Sequence, residues 1–117
     1  MAEGIRIQLG GWTELRALAA PIRFAVFVEE QKVPAAIELD EHDAVSLHAL
    51  AFDARASAVG TGRLLPDGHI GRMAVRRAAR GAGVGGAVLQ ALIAEAARRG
   101  LREVALAAQT HALDFYL

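Results

Sequence analysis

The feature that most constrains this chain is a glycine run between a short apolar segment and a long alanine-rich one. Four of the six residues 81–86 are glycine, so the main chain can approach a ligand closely and adopt angles that other residues resist. A helix beginning near Gly83 would present unpaired N–H groups and the positive end of its dipole, which favour phosphate. Arg76, Arg77 and Arg80 add positive charge. The stretch predicts a pyrophosphate-binding loop.

Two nucleotide-binding motifs share part of this glycine pattern. Gly81, Gly83 and Gly86 satisfy G-x-G-x-x-G, but the dinucleotide fingerprint requires its first glycine at a strand end and an acidic residue closing the next strand. Here five residues separate Val75 from Gly81, and Glu103 would open the next strand. A Walker A loop is excluded because no Lys-Ser or Lys-Thr pair follows the glycines. A flexible turn that binds nothing is the remaining alternative.

Hydrophobic patterning predicts the elements before the glycine loop. Apolar residues alternate over 5–9, as in a half-buried strand. A helix with Thr13 as its N-cap follows, is interrupted at Pro21 and resumes over residues 22–30. The residues of this second helix that share one face, and that we expect in the core, are Phe24, Phe27 and Val28.

The rest of the chain predicts three antiparallel strands followed by a β-α-β unit. Residues 46–53 and 57–65 form a hairpin, and residues 69–75 add a third strand that ends in the glycine loop. The apolar stripe of the next helix consists of Val84, Val88, Leu89, Leu92, Ile93 and Ala96. Residues 101–108 then form a buried strand parallel to the one before the helix. The fold class is α/β (α+β), in a single domain over residues 1–117.

Arg80, Gly83 and Gly85 form the pattern [Q/R]-x-x-G-x-[G/A], the signature of the GNAT superfamily of acetyl-coenzyme A-dependent N-acetyltransferases. The chain also resembles a bacterial subfamily of small GNAT proteins at Arg23-x-x-Val26-Phe27-Val28-x-Glu30-Gln31, Asp40-Glu41-x-Asp43, His48, Gly60-Thr61-Gly62-Arg63, Gly71-Arg72-Met73-Ala74-Val75, Ala108-Gln109 and Phe115-Tyr116. These motifs occur in order along the chain. The resemblance therefore covers the sequence from about Leu15 to its last residue.

The resemblance implies the GNAT fold, a mixed and mostly antiparallel sheet flanked by helices, with acetyl-coenzyme A as acyl donor. In that family pantetheine lies along the fourth strand as an extra strand would, and the pyrophosphate binds the amides of the glycine loop. Gln109 would orient the pantetheine or the acyl group. The cofactor-binding residues implied in this way are Met73, Ala74, Val75, Arg80, Gly81, Ala82, Gly83, Val84, Gly85, Gly86 and Gln109.

Acetyl transfer from a thioester to an amine requires a neutral amine, a polarised carbonyl and a stabilised or protonated leaving thiolate. The resemblance makes Tyr116 the general acid toward the thiolate, and the alternative is an aromatic side chain that only packs. Glu30 is the preferred general base because it lies in a matched motif on the acceptor side. Glu29, His48 and His69 are the other candidates by residue type.

The predicted function is an N-acetyltransferase that moves the acetyl group of acetyl-coenzyme A to a primary amine of a small molecule or peptide. The amine would attack directly in a ternary complex. The alternative is a non-catalytic acyl-coenzyme A sensor, which would keep the phosphate loop and lack turnover. The acidic residues between 38 and 43 are either a solvated loop or an amine-attracting rim of the acceptor pocket.

Composition excludes several other classes of function. The formal net charge is zero, which argues against a nucleic-acid partner. The chain has no cysteine, so disulfides, a cysteine nucleophile and thiolate metal sites are excluded, and we expect no metal and a cytoplasmic location. The sequence shows no leader segment and no apolar run long enough to cross a membrane.

The end of the sequence departs from the family pattern. Family members continue past the Phe-Tyr pair with two more strands that complete the sheet and the acceptor pocket, whereas this sequence stops at Leu117. We therefore expect either a truncated piece of a longer chain or a missing wall supplied by a partner, such as a second copy in a homodimer.

Overall fold

A computed structural model describes residues 4–34 and 40–106. Within these residues five strands form one sheet in the order β1-β2-β3-β4-β5. The strands are β1 Arg6–Gly10, β2 Leu47–Phe52, β3 Ala58–Leu64, β4 His69–Val75 and β5 Ala105–Leu106. β1 to β4 pair antiparallel in succession, and β5 runs parallel to β4. The predicted mixed, mostly antiparallel sheet is confirmed.

Helices pack on both faces of this sheet. The two α-helices are α1 Trp12–Arg23 and α2 Val84–Arg98, a π-helix covers Phe24–Glu30, and short 3-10 helices cover Glu41–Val45 and Arg77–Ala79. Because α2 connects β4 to the parallel strand β5, the β-α-β unit predicted around the glycine loop is confirmed. The predicted last strand extends into residues 107–108, which lie outside the described residues.

The beginning and the middle of α1 differ from the prediction. Gly11, and not Thr13, is the N-cap, and its N–H donates a hydrogen bond of 3.1 Å to Glu14 Oε1. The helix continues through Pro21 to Arg23 instead of breaking there. Pro21 is exposed, so water can reach the carbonyl that loses its N–H partner, and the helix is not forced to end.

The widening of the helix into a π-helix changes which side chains are buried. The N–H of Gln31 bonds to the carbonyl of Val26 at 3.1 Å, five residues earlier, as in a π-turn. Phe24 is 46% exposed, whereas Val26 is buried. The prediction that Phe24 belongs to the core is therefore wrong, because a face drawn with 3.6 residues per turn does not apply to this segment.

The sheet separates two apolar clusters. The buried members of the cluster under α2 are Ala49, Ala51, Val59, Leu64, Ile70, Val84, Val88, Leu89, Leu92 and Ala96. The buried members of the cluster under α1 are Leu15, Ala19, Ile22, Val26, Leu50, Phe52 and Ala74. The stripe predicted for the helix after the glycine loop therefore packs on the sheet, with Ile93 partly buried at its edge.

Two glycines in β3 allow α2 to lie close to the sheet. A Cβ atom at Gly60 would lie 2.6 Å from Cγ1 of Val84, and one at Gly62 would lie 2.6 Å from Sδ of Met73. Both distances are shorter than a relaxed contact, so a side chain at either position would push its neighbours away. The glycines of β3 thus help to set where the first turn of α2 lies.

β4 carries one extra residue opposite Gly62, where its pairing with β3 shifts. Arg72 lies in this bulge with φ of 49°, a left-handed conformation that is uncommon outside glycine. Ile70 before the bulge and Met73 after it both pack on the α2 side, whereas Ala74 packs on the α1 side. The bulge therefore shifts the inside–outside alternation of the strand by one residue.

Candidate active site

A groove of about 430 Å³ opens beside the C-terminal end of β4. Its lining residues are Val26, Met73, Ala74, Val75, Ala79, Arg80, Gly81, Gly83, Val84, Gly85 and Gly86. Every described residue of the predicted cofactor set lines this groove except Ala82, which lines a smaller neighbouring cavity. Gln109 and Tyr116 lie outside the described residues.

The edge of β4 that faces the groove is paired with β5, among the described residues, only at the start of the strand. The described pairs of β4 with β5 are His69 with Ala105 and Ile70 with Leu106, both at the start of the strand. Residues 73–75 lie farther along β4, where the described pairing is with β3 alone. An extended ligand could therefore add to this edge through main-chain hydrogen bonds, as a peptide adds to a sheet.

The glycine loop leads into the N-terminus of α2. Gly83 is the N-cap, with φ of 82° and ψ of 13°, and no side chain caps the helix. The first helical bond runs from the N–H of Ala87 to the carbonyl of Gly83, at 3.0 Å. The N–H groups of Val84, Gly85 and Gly86 precede that bond and lie at the positive end of the helix dipole, an arrangement that favours an anion.

Space for a ligand exists beside these amides. A Cβ atom at Gly81 or Gly86 would meet no other atom within 4 Å. Gly81 also has φ of 86°, a conformation that side-chain-bearing residues rarely adopt. The open space, the unpaired amides and a volume in the range of small-molecule sites together fit the pyrophosphate and part of the pantetheine of an acyl-coenzyme A.

Arg80 is held at the rim of the groove by three contacts. Its Nε donates to the carbonyl of Val75 at 3.0 Å, its Nη1 lies 2.9 Å from Oε1 of Glu30, and its Nη2 donates to Oε2 of Glu30 at 2.9 Å. Nη2 of Arg77 lies 3.6 Å from the same carboxylate. Two residues predicted for different roles, the phosphate contact and the base, are therefore bound to each other; we call Glu30 and Arg80 the rim pair.

The contacts of Glu30, His48 and His69 make none of the three a strong base at the groove. The hydrogen bond from Arg80 holds the pKa of Glu30 below its usual value, and a base works best when its pKa is near the working pH. His48 is buried, with Nε2 2.9 Å from the carbonyl of Asp43. His69 lies at the far end of β4, 2.9 Å from Asp67. Neither histidine lines the groove, and the role of Glu30 stays a prediction.

A second group of charges ties the segment after residue 39 to the rest of the fold. Asp43 Oδ1 accepts hydrogen bonds from Nη1 of Arg23 at 2.7 Å and from Nη1 of Arg63 at 2.9 Å. Asp40 accepts from Arg63 at 2.7 Å and from Arg72 at 3.1 Å. We call these five residues the ion cluster. Because three arginines compensate the two carboxylates, Asp40 and Asp43 do not form an amine-attracting rim.

The ion cluster changes the titration of both aspartates. The hydrogen bond from Arg63 lowers the pKa of Asp40 to about 2. Burial opposes the ionisation of Asp43, but the hydrogen bond and the charge of Arg23 outweigh it and hold the pKa of Asp43 below its usual value. Both carboxylates are therefore ionised at neutral pH and act as acceptors for arginine.

Sequence reasoning missed some of these residues. It placed Val26 in a core-forming helix without assigning it to the groove, and it treated Asp40 and Asp43 as part of a loop. A signal for the ion cluster was present, because Arg23 and Arg63 lie among apolar or small residues of a helix and a strand. Charged side chains in such positions are buried only when they are paired.

Two other kinds of site are absent from the described part of the chain. No helix there is long and apolar enough to cross a membrane. No group of three or more His, Cys, Asp or Glu side chains there is arranged to hold a metal ion.

Known proteins share this architecture. Residues 12–117 match the model of the Acetyltransferase (GNAT) family. This chain belongs to the GNAT acetyltransferase family. That match covers nearly the whole sequence, and the groove, the glycine loop and strands β2 to β5 lie within it.

Individual relatives agree with this assignment. YjcF of Bacillus subtilis (strain 168), named an uncharacterized N-acetyltransferase, is 42% identical over 98 residues, which cover 81% of this chain and 69% of that protein. An acyl-CoA N-acyltransferase of Pseudomonas aeruginosa has a TM-score of 0.81 and 30% identity, covering 96% of this chain and 83% of its own. ElaA of Escherichia coli has a TM-score of 0.81 and 29% identity, covering 96% and 83%.

Proposed function

We propose that this GNAT-family enzyme transfers the acetyl group of acetyl-coenzyme A to a primary amine of a small molecule or peptide. The amine would attack the thioester directly in a ternary complex. The observation that carries the proposal is the junction of two features in one groove: the unpaired amides at the start of α2 and the residues of β4 that line the groove beside them. A ligand with a phosphate group at one end of an extended chain uses both features at once.

The described residues supply the donor site of this proposal. The amides of residues 84–86 and the guanidinium of Arg80 would hold the pyrophosphate, and the backbone of residues 73–75 would pair with the pantetheine. Acetyl-coenzyme A supplies the activated acyl group when it is bound. Main-chain contacts of this kind position the thioester with little help from side chains, and positioning accounts for much of the rate in acyl transfer.

Of the side chains proposed to act on the acyl group or its protons, only Glu30 lies among the described residues. Tyr116 is proposed as general acid toward the thiolate, and Gln109 is proposed to orient the pantetheine or the acyl group. Glu30 was predicted as the base, but the hydrogen bond from Arg80 lowers its pKa and makes it a weak acceptor of the proton. In a simpler route, the amine enters the groove already neutral. The rate of acetyl transfer would then rise with pH, because a larger fraction of the amine is neutral.

The cellular setting is also a proposal. The relatives named above are bacterial proteins, which supports a bacterial source. The absence of cysteine is compatible with a reducing cytoplasm. A homodimer that completes the acceptor pocket stays a prediction from the sequence.

A glycine substitution tests the donor site. Gly86→Leu should abolish binding of acetyl-coenzyme A, measured by isothermal titration, because Gly86 lines the groove and the added side chain enters open space. Gly83→Val should also block binding, but φ of 82° adds backbone strain of about 1–2 kcal/mol, so Gly86 gives the cleaner experiment. Ala94→Leu, on an exposed position of the same helix, is the matched control.

Two results separate the enzyme from its alternatives. Unchanged affinity of a folded Gly86→Leu protein would show that the groove does not take the donor. Binding of acetyl-coenzyme A without release of thiol in the presence of a panel of amines would favour a non-catalytic sensor.

The proposed acid is tested with Tyr116→Phe. The variant should keep its affinity for acetyl-coenzyme A and lose about 100- to 10,000-fold in turnover number, because a proton is needed only as the carbon–sulfur bond breaks. Turnover at the wild-type rate with saturating donor would show that Tyr116 only packs.

A further inference from the structure

The rim pair joins two elements that are far apart in sequence. Glu30 is the last residue of the π-helix and Arg80 lies in the loop before α2. Both oxygens of the carboxylate lie 2.9 Å from the guanidinium, a two-point contact that fixes the plane of the arginine. The side chains are 43% and 22% exposed for Arg80 and Glu30, so the pair is open to a ligand in the groove.

We propose that Glu30 limits the affinity of the groove for the phosphates of coenzyme A, by compensating the charge of Arg80 and competing for its Nη atoms. This inference rests on the proposed function, since it concerns the same donor site. It gives Glu30 a role in donor binding that differs from proton transfer.

The charge balance at the rim supports this role. Arg80 and residues 84–86 line the same groove, so we expect a phosphate bound to those amides to approach the guanidinium of Arg80. The carboxylate of Glu30 contacts that same guanidinium at 2.9 Å and lies 3.6 Å from Nη2 of Arg77. A bound polyanion therefore meets the two positive charges of Arg77 and Arg80, and the carboxylate of Glu30 already compensates one of them. The carboxylate of Glu30 and a phosphate on the same arginine repel each other, and because the site is partly exposed, solvent and salt screen this repulsion in part.

The position of Arg80 leaves room for exchange between two anions. Its Nε is held by the carbonyl of Val75, which does not carry a full charge and does not compete with phosphate for the outer N–H groups. Phosphate and carboxylate would then share or exchange the two Nη atoms. Because Glu30 is tethered to the π-helix, it is always present at high local concentration and opposes the ligand at every encounter.

Limited affinity has a use in a transferase. Acetyl-coenzyme A and coenzyme A carry the same phosphates, so any contact that strengthens donor binding at the loop also slows release of the product. Product release commonly limits turnover in well-evolved enzymes. A carboxylate that weakens the phosphate contact would shorten the time that coenzyme A spends on the enzyme.

Glu30 could also strengthen ligand binding, by orienting Arg80. A carboxylate that fixes Arg80 also reduces the side-chain entropy lost when phosphate binds. If that orienting effect exceeded the repulsion, removal of Glu30 would weaken binding. The sign of the change in affinity therefore decides between the two.

The test uses four variants of the full chain: Glu30→Gln, Arg80→Ala, the double variant and Glu29→Gln. Glu29 is the matched control because it is the exposed neighbour of Glu30 and its substitution removes the same charge. Dissociation constants of acetyl-coenzyme A and of coenzyme A are measured by isothermal titration at low and at high salt, and dissociation rates by stopped flow.

We expect Glu30→Gln to tighten both ligands about 3- to 5-fold, the upper part of the range for one partly exposed charge, and to slow their dissociation. Glu29→Gln should change affinity less than about twofold, and Glu30→Gln should add nothing in the Arg80→Ala background. High salt should reduce the gain.

Three results would overturn the inference while leaving the donor site intact: weaker binding in Glu30→Gln, equal effects of the two glutamine variants, or a gain that persists without Arg80. Absence of saturable binding of acetyl-coenzyme A to the wild-type protein would instead overturn the proposed function, and this inference with it.

Discussion

The ion cluster and the rim pair contain the same two chemical groups and differ in burial. Two contacts of the ion cluster measure 2.7 Å: Arg23 with Asp43, whose side chains are 1% and 3% exposed, and Arg63 with Asp40, at 8% and 27%. The contact of the rim pair is 2.9 Å between Arg80 and Glu30, whose side chains are 43% and 22% exposed. Distance alone does not distinguish the two. The burial of Arg23 and Asp43 does, because a buried charge that loses its partner has no water to replace it.

This difference assigns the two groups to different tasks. The ion cluster joins α1, the 3-10 helix Glu41–Val45, β3 and the bulge of β4, and none of its members lines the groove. Breaking it should affect folding. The rim pair joins the π-helix to the glycine loop and contains a groove-lining residue, so breaking it should affect the ligand. Single substitutions can break each group separately and so test that division.

The largest effect is expected for Asp43→Asn. The substitution removes the charge that Arg23 and Arg63 share, and loss of one partner of a buried ion pair typically costs about 3–5 kcal/mol. Chemical denaturation measures the loss, with Asp67→Asn as a control because Asp67 is exposed in a turn. Equal stabilities of the two variants would show that the ion cluster does not hold the fold together.

Arg80→Ala should have its effect on the ligand. A charge-assisted contact to phosphate typically contributes about 10- to 150-fold in affinity, and because Glu30 compensates part of the charge we expect the lower end of that range. Arg102→Ala, at an exposed position before β5, is the control for loss of one positive charge. A loss below about twofold at low salt would show that Arg80 faces solvent and does not contact phosphate.

Acid should weaken the ion cluster gradually. A carboxylate whose pKa is lowered by folding contributes stability that is fully present above its unfolded pKa of about 4 and is lost as the pH falls toward the folded value. For Asp40 that value is about 2, so the melting temperature should fall between about pH 4 and pH 2. Asp40→Asn should reduce this dependence, whereas an unchanged slope would show that the acid transition has another origin.

The smallest effect is expected for the stability of Glu30→Gln. The rim pair is partly exposed to solvent, and ion pairs that water can reach contribute little to folding. Chemical denaturation should give the same midpoint for this variant and for the wild-type protein. A large loss of stability would mean that the π-helix depends on Arg80 for its position, and that the division between the two groups is wrong.

Local patterns predicted much of this fold, for reasons that can be traced to residues. The turn residues around Asp53 and Pro66, on either side of the strand predicted between them, indicated the antiparallel order of β2, β3 and β4. The glycines indicated the loop and a helix beginning near Gly83, which is its N-cap. These features depend on residues that are close in sequence, so a local sequence pattern can predict them.

The errors have a physical cause as well. The rule for Pro21 assumed that a helix ends when it loses a hydrogen bond, but whether water replaces that bond depends on which face is exposed. The partners in the ion cluster are separated by 20 to 32 residues, and those in the rim pair by 50. Only the folded sheet brings such groups together, so sequence reasoning found Glu30 and Arg80 and could not find their contact.

The bulge of β4 also limits how this part of the chain can change in length. A strand presents its side chains to alternate faces and its N–H and carbonyl groups to alternate edges, so one residue more or less reverses both patterns beyond the point of change. Loss of Arg72 would turn Ala74 toward α2 and exchange the backbone groups that face the groove. We therefore expect β4 to tolerate substitutions better than insertions or deletions, whatever the substrate.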